Sequence, residues 1–239
     1  TNNCFFVGDS AHQMPPFLGQ GLCQGIKDVY NLHWKLDGVL KGKYADKVLD
    51  TYSDERISIV KSVTETAIKH GGVIGTQNKY VALIRDTLLT VARIFPKLLS
   101  FFDFYHPWQI DNGLIDKSLY PNKANGIVIS QPNVDLKVDN KSFDQYIGYN
   151  FALIIFNQNE GVFNDIKDLE SARIFENNIY LINEDSPFNK DSNFIKWRKD
   201  NNISAVIIRP DRHVYGCCDD ESMIAKVDQL NKKLISELT

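Results

Sequence analysis

The chain has 239 residues, 43% of them hydrophobic and 24% charged, and a formal net charge of −3. That length accommodates one large or two modest domains, and that balance excludes a compositionally disordered chain. No basic stripe stands out, which excludes nucleic acid as the main partner.

In chain order, Cys4-Phe5-Phe6-Val7 is a short apolar run ending at Gly8-Asp9. It predicts a fully buried strand, central in a sheet. Such a strand needs neighbours, and little before residue 120 supplies them, so an upstream portion is expected to be missing. Between Asp9 and Lys27 lie two prolines and several glycines and no charge. From Gly21 the pattern turns helical, with Leu22, Ile26, Val29, His33, Leu36 and Leu40 as one inward stripe and Gly42 as the stop. Residues 46–70 predict a second helix with Leu49, Tyr52, Ile57, Val60, Val63 and Ala67 inward, broken at Gly71-Gly72. Residues 80–102 are apolar and mostly helical, interrupted at Pro96.

Turn formers dominate from about Phe104 to Pro132, and a domain boundary is expected near residue 123. Beyond it, 151–156 and 205–209 predict strands and 180–182 a shorter one. Residues 194–201 and 222–238 predict helices, the last with Ile224, Val227, Leu230, Leu234 and Leu238 on its apolar face. Alternating strands and helices make this a small α/β domain. No apolar run reaches membrane-spanning length, and no signal peptide is visible, although the chain starts at Thr1 without a Met. Cys4, Cys23, Cys217 and Cys218 form neither a C-x-x-C pair nor a metal-spaced set, so no metal and a reducing, cytoplasmic setting are expected.

Functional chemistry concentrates in GDSAHQMPPFLGQGLCQGIKDVYNLHWKL, residues 8–36. A carboxylate just past a strand end sits where open α/β sheets bind ligands. Asp9 is suited to accept hydrogen bonds from ligand hydroxyls. Pro15-Pro16 makes a stiff apolar wall, and Gly19 and Gly21 allow close backbone approach. The helix beginning near Gly21 then aims free N–H groups and a positive dipole end at whatever lies in front. Hydroxyls, a flat ring and negative charge together describe a flavin.

Residues 4–56 resemble the second FAD-binding segment of the class A flavoprotein aromatic hydroxylases, the family of para-hydroxybenzoate, phenol and hydroxyphenylpropionate hydroxylases. Gly8-Asp9, Ala11-His12, Pro15-Pro16, Gly19-Gln20-Gly21, Gly25-Ile26, Asp28, Asn31-Leu32 and Trp34-Lys35-Leu36 carry the resemblance, continued by Asp50-Thr51-Tyr52 and Glu55-Arg56. It implies that Asp9 holds a ribityl hydroxyl of FAD, that Pro16 lies beside the isoalloxazine, and that backbone N–H groups of Gly21, Leu22 and Cys23 face its pyrimidine end. It also implies NADH or NADPH as electron donor, oxygen as co-substrate and hydroxylation of a phenolic compound. More weakly, Gln131-Pro132, the 151–156 strand and residues 206–214 resemble the thioredoxin-like C-terminal domain of the larger members, here without redox cysteines. The expected architecture is therefore α/β: residues 1–123 an incomplete FAD-binding domain, 124–239 a thioredoxin-like domain. The dinucleotide-binding G-x-G-x-x-G is absent from this sequence, so the chain alone is expected to bind FAD poorly.

Simpler roles stand beside these. Asp9 alone would pass for a helix cap, and His12 for a local hydrogen-bonding residue. His33 and Trp34 are expected in the core. Cys23 is expected to act through its backbone. Asp54, Glu55 and Arg56 would be solvated charges or a weak ion pair, with Arg56 holding the fold by resemblance. Cys217-Cys218 would end a strand. Phe101, Phe102, Phe104, Tyr105 and Trp108 lie where relatives approach substrate or the dimer contact, but none is assigned a role. A homodimer, a split enzyme with a separate N-terminal half, a non-catalytic interaction module, and a flavoprotein without hydroxylase activity remain alternatives.

Overall fold

The structure, a computed structural model, describes residues 4–94 and 109–239. The chain divides into two compact units, each assembled from two stretches of sequence. One comprises the described residues of Thr1–Tyr30 and Arg56–Trp108, the other Asn31–Glu55 and Gln109–Thr239. Helices α1 (Gly21–Leu40) and α2 (Lys47–Ile74) each run through both.

In the first unit, Cys4–Val7 is irregular backbone and not the expected strand. A strand exists only with a ladder partner, and all four strands of the described sheet lie between residues 152 and 218. Single 3-10 turns at Gly8–Ser10 and Pro16–Leu18 follow. Gly19, left-handed at φ +60°, closes the second, a conformation that favours glycine. The Gly71-Gly72 pair does not break α2, which continues to Ile74. A Cβ on Gly71 would stand 2.2 Å from the Phe17 ring, so the missing side chain there serves packing and not termination. Helix α3 spans Lys79–Ile94. The interruption expected at Pro96 and the aromatics from Phe101 to Trp108 lie outside the described residues.

The second unit is built on a four-stranded sheet in the order β2-β1-β3-β4: β1 Ala152–Ile155, β2 Ile179–Leu181, β3 Ala205–Ile208 and β4 Val214–Cys218. Strands β1 and β2 are parallel, and β3 is antiparallel to both of its neighbours, β1 and β4. The sheet is buried on both faces. Leu153, Ile155 and Ile207 join Ile166, Val227, Leu230 and Leu234, together with Trp34 and Val48 of the helix pair. Ala152, Ile154, Val206 and Ile208 pack with Phe143, Phe188 and Phe194 on the opposite side. The covering helices are α4 (Phe143–Ile147), α5 (Glu160–Lys167), α6 (Ser192–Asp200) and α7 (Met223–Leu238). The expected strands and last two helices are present, and Cys217-Cys218 ends β4. The mixed α/β layering is compatible with a thioredoxin-like domain.

The inward stripe expected of α1 is on the wrong side. Leu22, Ile26, Val29 and Leu40 are 77%, 59%, 52% and 77% exposed, and His33 is exposed as well. Gln24, Asp28, Asn31 and Lys35 are buried instead, beside Leu32 and Trp34. Their four-three-four spacing is as helical as that of the apolar set, and two residues around a helix is about 200°.

Candidate functional site

The segment from Gly8 to Leu22 folds as two turns and a helix start. Ala11 N and His12 N both donate to the carbonyl of Gly8, at 2.9 and 3.0 Å, and Gly19 N donates to Pro16 O at 3.0 Å. The two turns and α1 enclose an open cavity of about 440 Å³ lined by Asp9, Gln13, Met14, Pro15, Pro16, Gly19, Gly21 and Leu22. Five of the six residues expected to hold a cofactor, Asp9, Pro16, Gly19, Gly21 and Leu22, share this lining. Cys23, exposed, is one residue further along α1 and outside it.

Asp9 and the helix start are close neighbours. A Cβ on Gly21 would meet Asp9 Oδ1 at 4.0 Å. A carboxylate acceptor thus stands beside the first N–H groups of α1, which have no partner within the helix. Such a pair can receive ligand hydroxyls on one side and anionic or carbonyl groups on the other. The proline wall and the absence of side chains at Gly19 and Gly21 leave room for a flat ring. These residues fit the ribityl and ring portions of a flavin.

Behind the cavity lies Asp28, fully buried on α1. Its Oδ2 accepts from Gly8 N at 2.8 Å and from His12 Nε2 at 2.6 Å, and its Oδ1 accepts from Arg56 Nε at 2.6 Å. Arg56 Nη2 also donates to Gln24 Oε1 at 2.8 Å. Arg56 is therefore a buried, hydrogen-bonded cation and not a weak surface pair. Nothing in residue type singles out Asp28, but its place in the Gln24-Asp28 stripe with the buried arginine of α2 is the signal that could have found it.

The second unit holds a second buried ionic cluster. Glu55, expected at the surface, is fully buried. Its carboxylate accepts from Arg209 Nη1 and Nη2 at 2.8 and 2.7 Å, Lys35 Nζ at 2.8 Å, Asn31 Nδ2 at 2.7 Å and Leu114 N at 2.9 Å. Arg209 also reaches Asp211 Oδ2 from Nη2 at 2.6 Å. Two cations and two carboxylates cancel in formal charge, and every oxygen of Glu55 is occupied. Burial pushes Lys35 down to about 8 despite the neighbouring Glu55 charge. For Glu55, burial opposes ionisation, but Arg209 and Lys35 outweigh it and hold the carboxyl down to about 2. Asp211, likewise buried, is held well below its ordinary value by Arg209 and His213.

Among the described residues no cluster of His, Cys, Asp and Glu could hold a metal ion, and no helix is long and apolar enough to cross a membrane.

Residues 1–67 match the FAD binding domain family, and residues 126–233 match the HcaD C-terminal domain family. A 3-(3-hydroxy-phenyl)propionate/3-hydroxycinnamic acid hydroxylase of Mycolicibacterium smegmatis is 35% identical over 159 residues, covering 64% of this chain and 28% of the relative. A probable NADH-specific resorcinol 4-hydroxylase of Rhodococcus jostii is 30% identical over 235 residues, 92% of this chain and 40% of the relative. The structure of the flavin-dependent monooxygenase PieE in complex with FAD and substrate superposes with a TM-score of 0.65 at 19% identity, over 98% of this chain and 47% of that one. The chain spans less than half the length of these curated relatives.

Proposed function

We infer, from the FAD binding domain match over residues 1–67 and the HcaD C-terminal domain match over residues 126–233, that the chain supplies part of the flavin site of an aromatic-ring monooxygenase. The observation that carries this is the shared lining of one open cavity by Asp9, Pro16, Gly19, Gly21 and Leu22, within the residues that match the FAD-binding family. Asp9 accepts a ribityl hydroxyl, Pro15-Pro16 flank the ring, and the N–H groups of Gly21, Leu22 and Cys23 face its pyrimidine end. When bound, FAD supplies the redox chemistry, with NADH or NADPH as donor and oxygen as co-substrate. The role of this chain is to hold and orient. Its carboxylate fixes the cofactor's polyol, its helix dipole favours negative charge on the ring, and its proline wall keeps water from that edge.

The substrate class is a hydroxylated aromatic compound, as named for the relatives. Residues 124–239 form the accompanying thioredoxin-like domain. A domain division near residue 123 is supported by the HcaD C-terminal match, which begins at 126. The exposed Leu22, Ile26 and Val29 face is read as the surface against which the dinucleotide-binding part of an FAD fold packs, in cis or from a separate chain. All four cysteines are free, in keeping with the cytoplasm. A visible absorbance titration of the purified chain with FAD tests the reading, followed by NADH and NADPH oxidation in the presence of phenolic compounds. A shifted flavin spectrum is expected. An unshifted spectrum at every flavin concentration, with the dinucleotide-binding half of a relative present, would reject it.

A further inference from the structure

Asp28 divides its carboxylate between two tasks. Oδ1 takes Arg56 Nε, an ion pair between α1 and α2, and Oδ2 takes only groups from the loop that carries Asp9. Those groups are the N–H of Gly8, directly before Asp9, and the imidazole of His12, three residues after it. A carboxylate only accepts, so His12 must carry its proton on Nε2. The other ring nitrogen, Nδ1, is buried with no hydrogen-bond partner among the described residues, which leaves Asp28 as the anchor of the ring. The approach is close: a Cβ on Gly25 would stand 3.2 Å from Gly8 Cα, and Gly8 itself is at φ +58°. Asp28 lies seven residues beyond Gly21, roughly 10 Å down the helix axis. It is therefore not part of the cavity lining, while the loop it holds is.

Resting on the flavin reading above, we propose that Asp28 and His12 are positioning residues for the flavin: they latch the Asp9 loop to α1 and so fix Asp9 relative to the first N–H groups of the helix. A buried Asp28–Arg56 pair would satisfy the charge of each partner without any help from the loop. The two loop donors converging on the remaining oxygen are what that pair alone does not explain. Because Asp9 and the N–H groups of Gly21, Leu22 and Cys23 address different parts of one ligand, their separation sets how well both can be used at once.

The test is hydrogen exchange on the full chain, wild type and variants, each with and without FAD. Asp28→Asn keeps an oxygen for Arg56 and turns an amide donor toward two loop donors, so it unlatches the loop selectively. His12→Leu removes one tie, and His12→Gln restores it, since the glutamine Nε2 reaches about where the imidazole Nε2 does. Asp28→Asn and His12→Leu are expected to speed exchange of the 8–12 amides at least tenfold. They should leave α3 and the C-terminal sheet unchanged and raise at least tenfold the FAD concentration needed to protect residues 8–23. His12→Gln is expected to recover both. If Asp28→Asn fails to fold, the two His12 variants decide. Wild-type exchange at 8–12 in His12→Leu, an unchanged flavin footprint on a loosened loop, or no recovery in His12→Gln would each overturn the proposal. A wild-type chain with no footprint at any FAD concentration, with the dinucleotide-binding half of a relative present, rejects the flavin reading, and flavin-free exchange in His12→Leu then decides the latch.

Discussion

Arg209 lays both terminal nitrogens of its guanidinium along the carboxylate of Glu55, at 2.8 Å from Nη1 to Oε1 and 2.7 Å from Nη2 to Oε2. The pair joins the end of β3 to α2, and Trp34 stacks its ring 5.3 Å from the guanidinium carbon. Arg209 begins the turn from β3 to β4, where Arg209 N donates to His213 O at 2.9 Å and Arg212 takes φ +68°. The hairpin turn thus delivers a charged side chain into the protein and not out to water.

Removing one partner of this pair strands a buried charge. Arg209→Leu should destabilise the second unit by about 3–5 kcal/mol. Arg209→Lys should recover only part of that, because an ammonium cannot match both carboxylate oxygens. Chemical denaturation followed through the sheet's far-ultraviolet signal checks the order wild type, Arg209→Lys, Arg209→Leu.

The same cluster makes the unit sensitive to acid. Against the opposing effect of burial, Arg209 and Lys35 hold the folded Glu55 carboxyl down to about 2 from an ordinary 4.5, so between those values the unfolded chain binds more protons. The stabilisation is complete above about 4.5 and is lost as pH falls toward 2. Asp211 and Asp116 are also lowered and act in the same direction. In Glu55→Gln the unfolding midpoint should start lower and fall less steeply across this window. An identical slope in the two proteins would mean that Glu55 is not an important contributor.

Residues 124–239 expressed alone should be much less resistant to protease than the same residues in the whole chain. They would lack Trp34, Val48 and Leu114 from the hydrophobic core and Glu55 and Asn31 from around Arg209 and Asp211. A stable, protease-resistant fragment would favour an autonomous interaction module.

Thiol reactivity separates into two classes. Cys4 and Cys23 are exposed and should react promptly with a disulfide reagent in the native chain. Cys217 and Cys218 are buried in β4, and burial raises both thiols, Cys218 to about 12. They should react only on unfolding, so the native count is two and the denatured count four.

How much of this was legible follows from what burial looks like in a sequence. The Leu153 and Val206 strands are continuous apolar runs, and the α7 face Val227, Leu230, Leu234, Leu238 is apolar at helical spacing, so both are read directly. Strand β4 is harder, because Gly216 and two cysteines dilute its apolar signal. Helix α1 misleads for a definite reason. Two stripes of equal period lie on opposite faces, and the buried one carries Gln24, Asp28, Asn31 and Lys35. Burying those groups is tolerable only with partners from distant sequence, Arg56, Glu55 and Asp211, and hydrophobic periodicity carries no information about them. The cavity residues were legible because special backbone chemistry, Pro15-Pro16 and Gly19, leaves a mark that no tertiary partner is needed to read. Asp28 and His12 as a latch were not, since their relation exists only once the loop has folded back on the helix.

In the proposed flavin site, Asp9 and the start of α1 hold the cofactor together. The most direct test is the footprint of saturating FAD on backbone hydrogen exchange in the full chain, compared between wild type and Asp9→Asn. Protection confined to residues 8–23 in the wild type, needing at least tenfold more FAD in Asp9→Asn, is the predicted result. A footprint elsewhere, or one that Asp9→Asn leaves unchanged, would rule out a flavin held by Asp9 and the helix start.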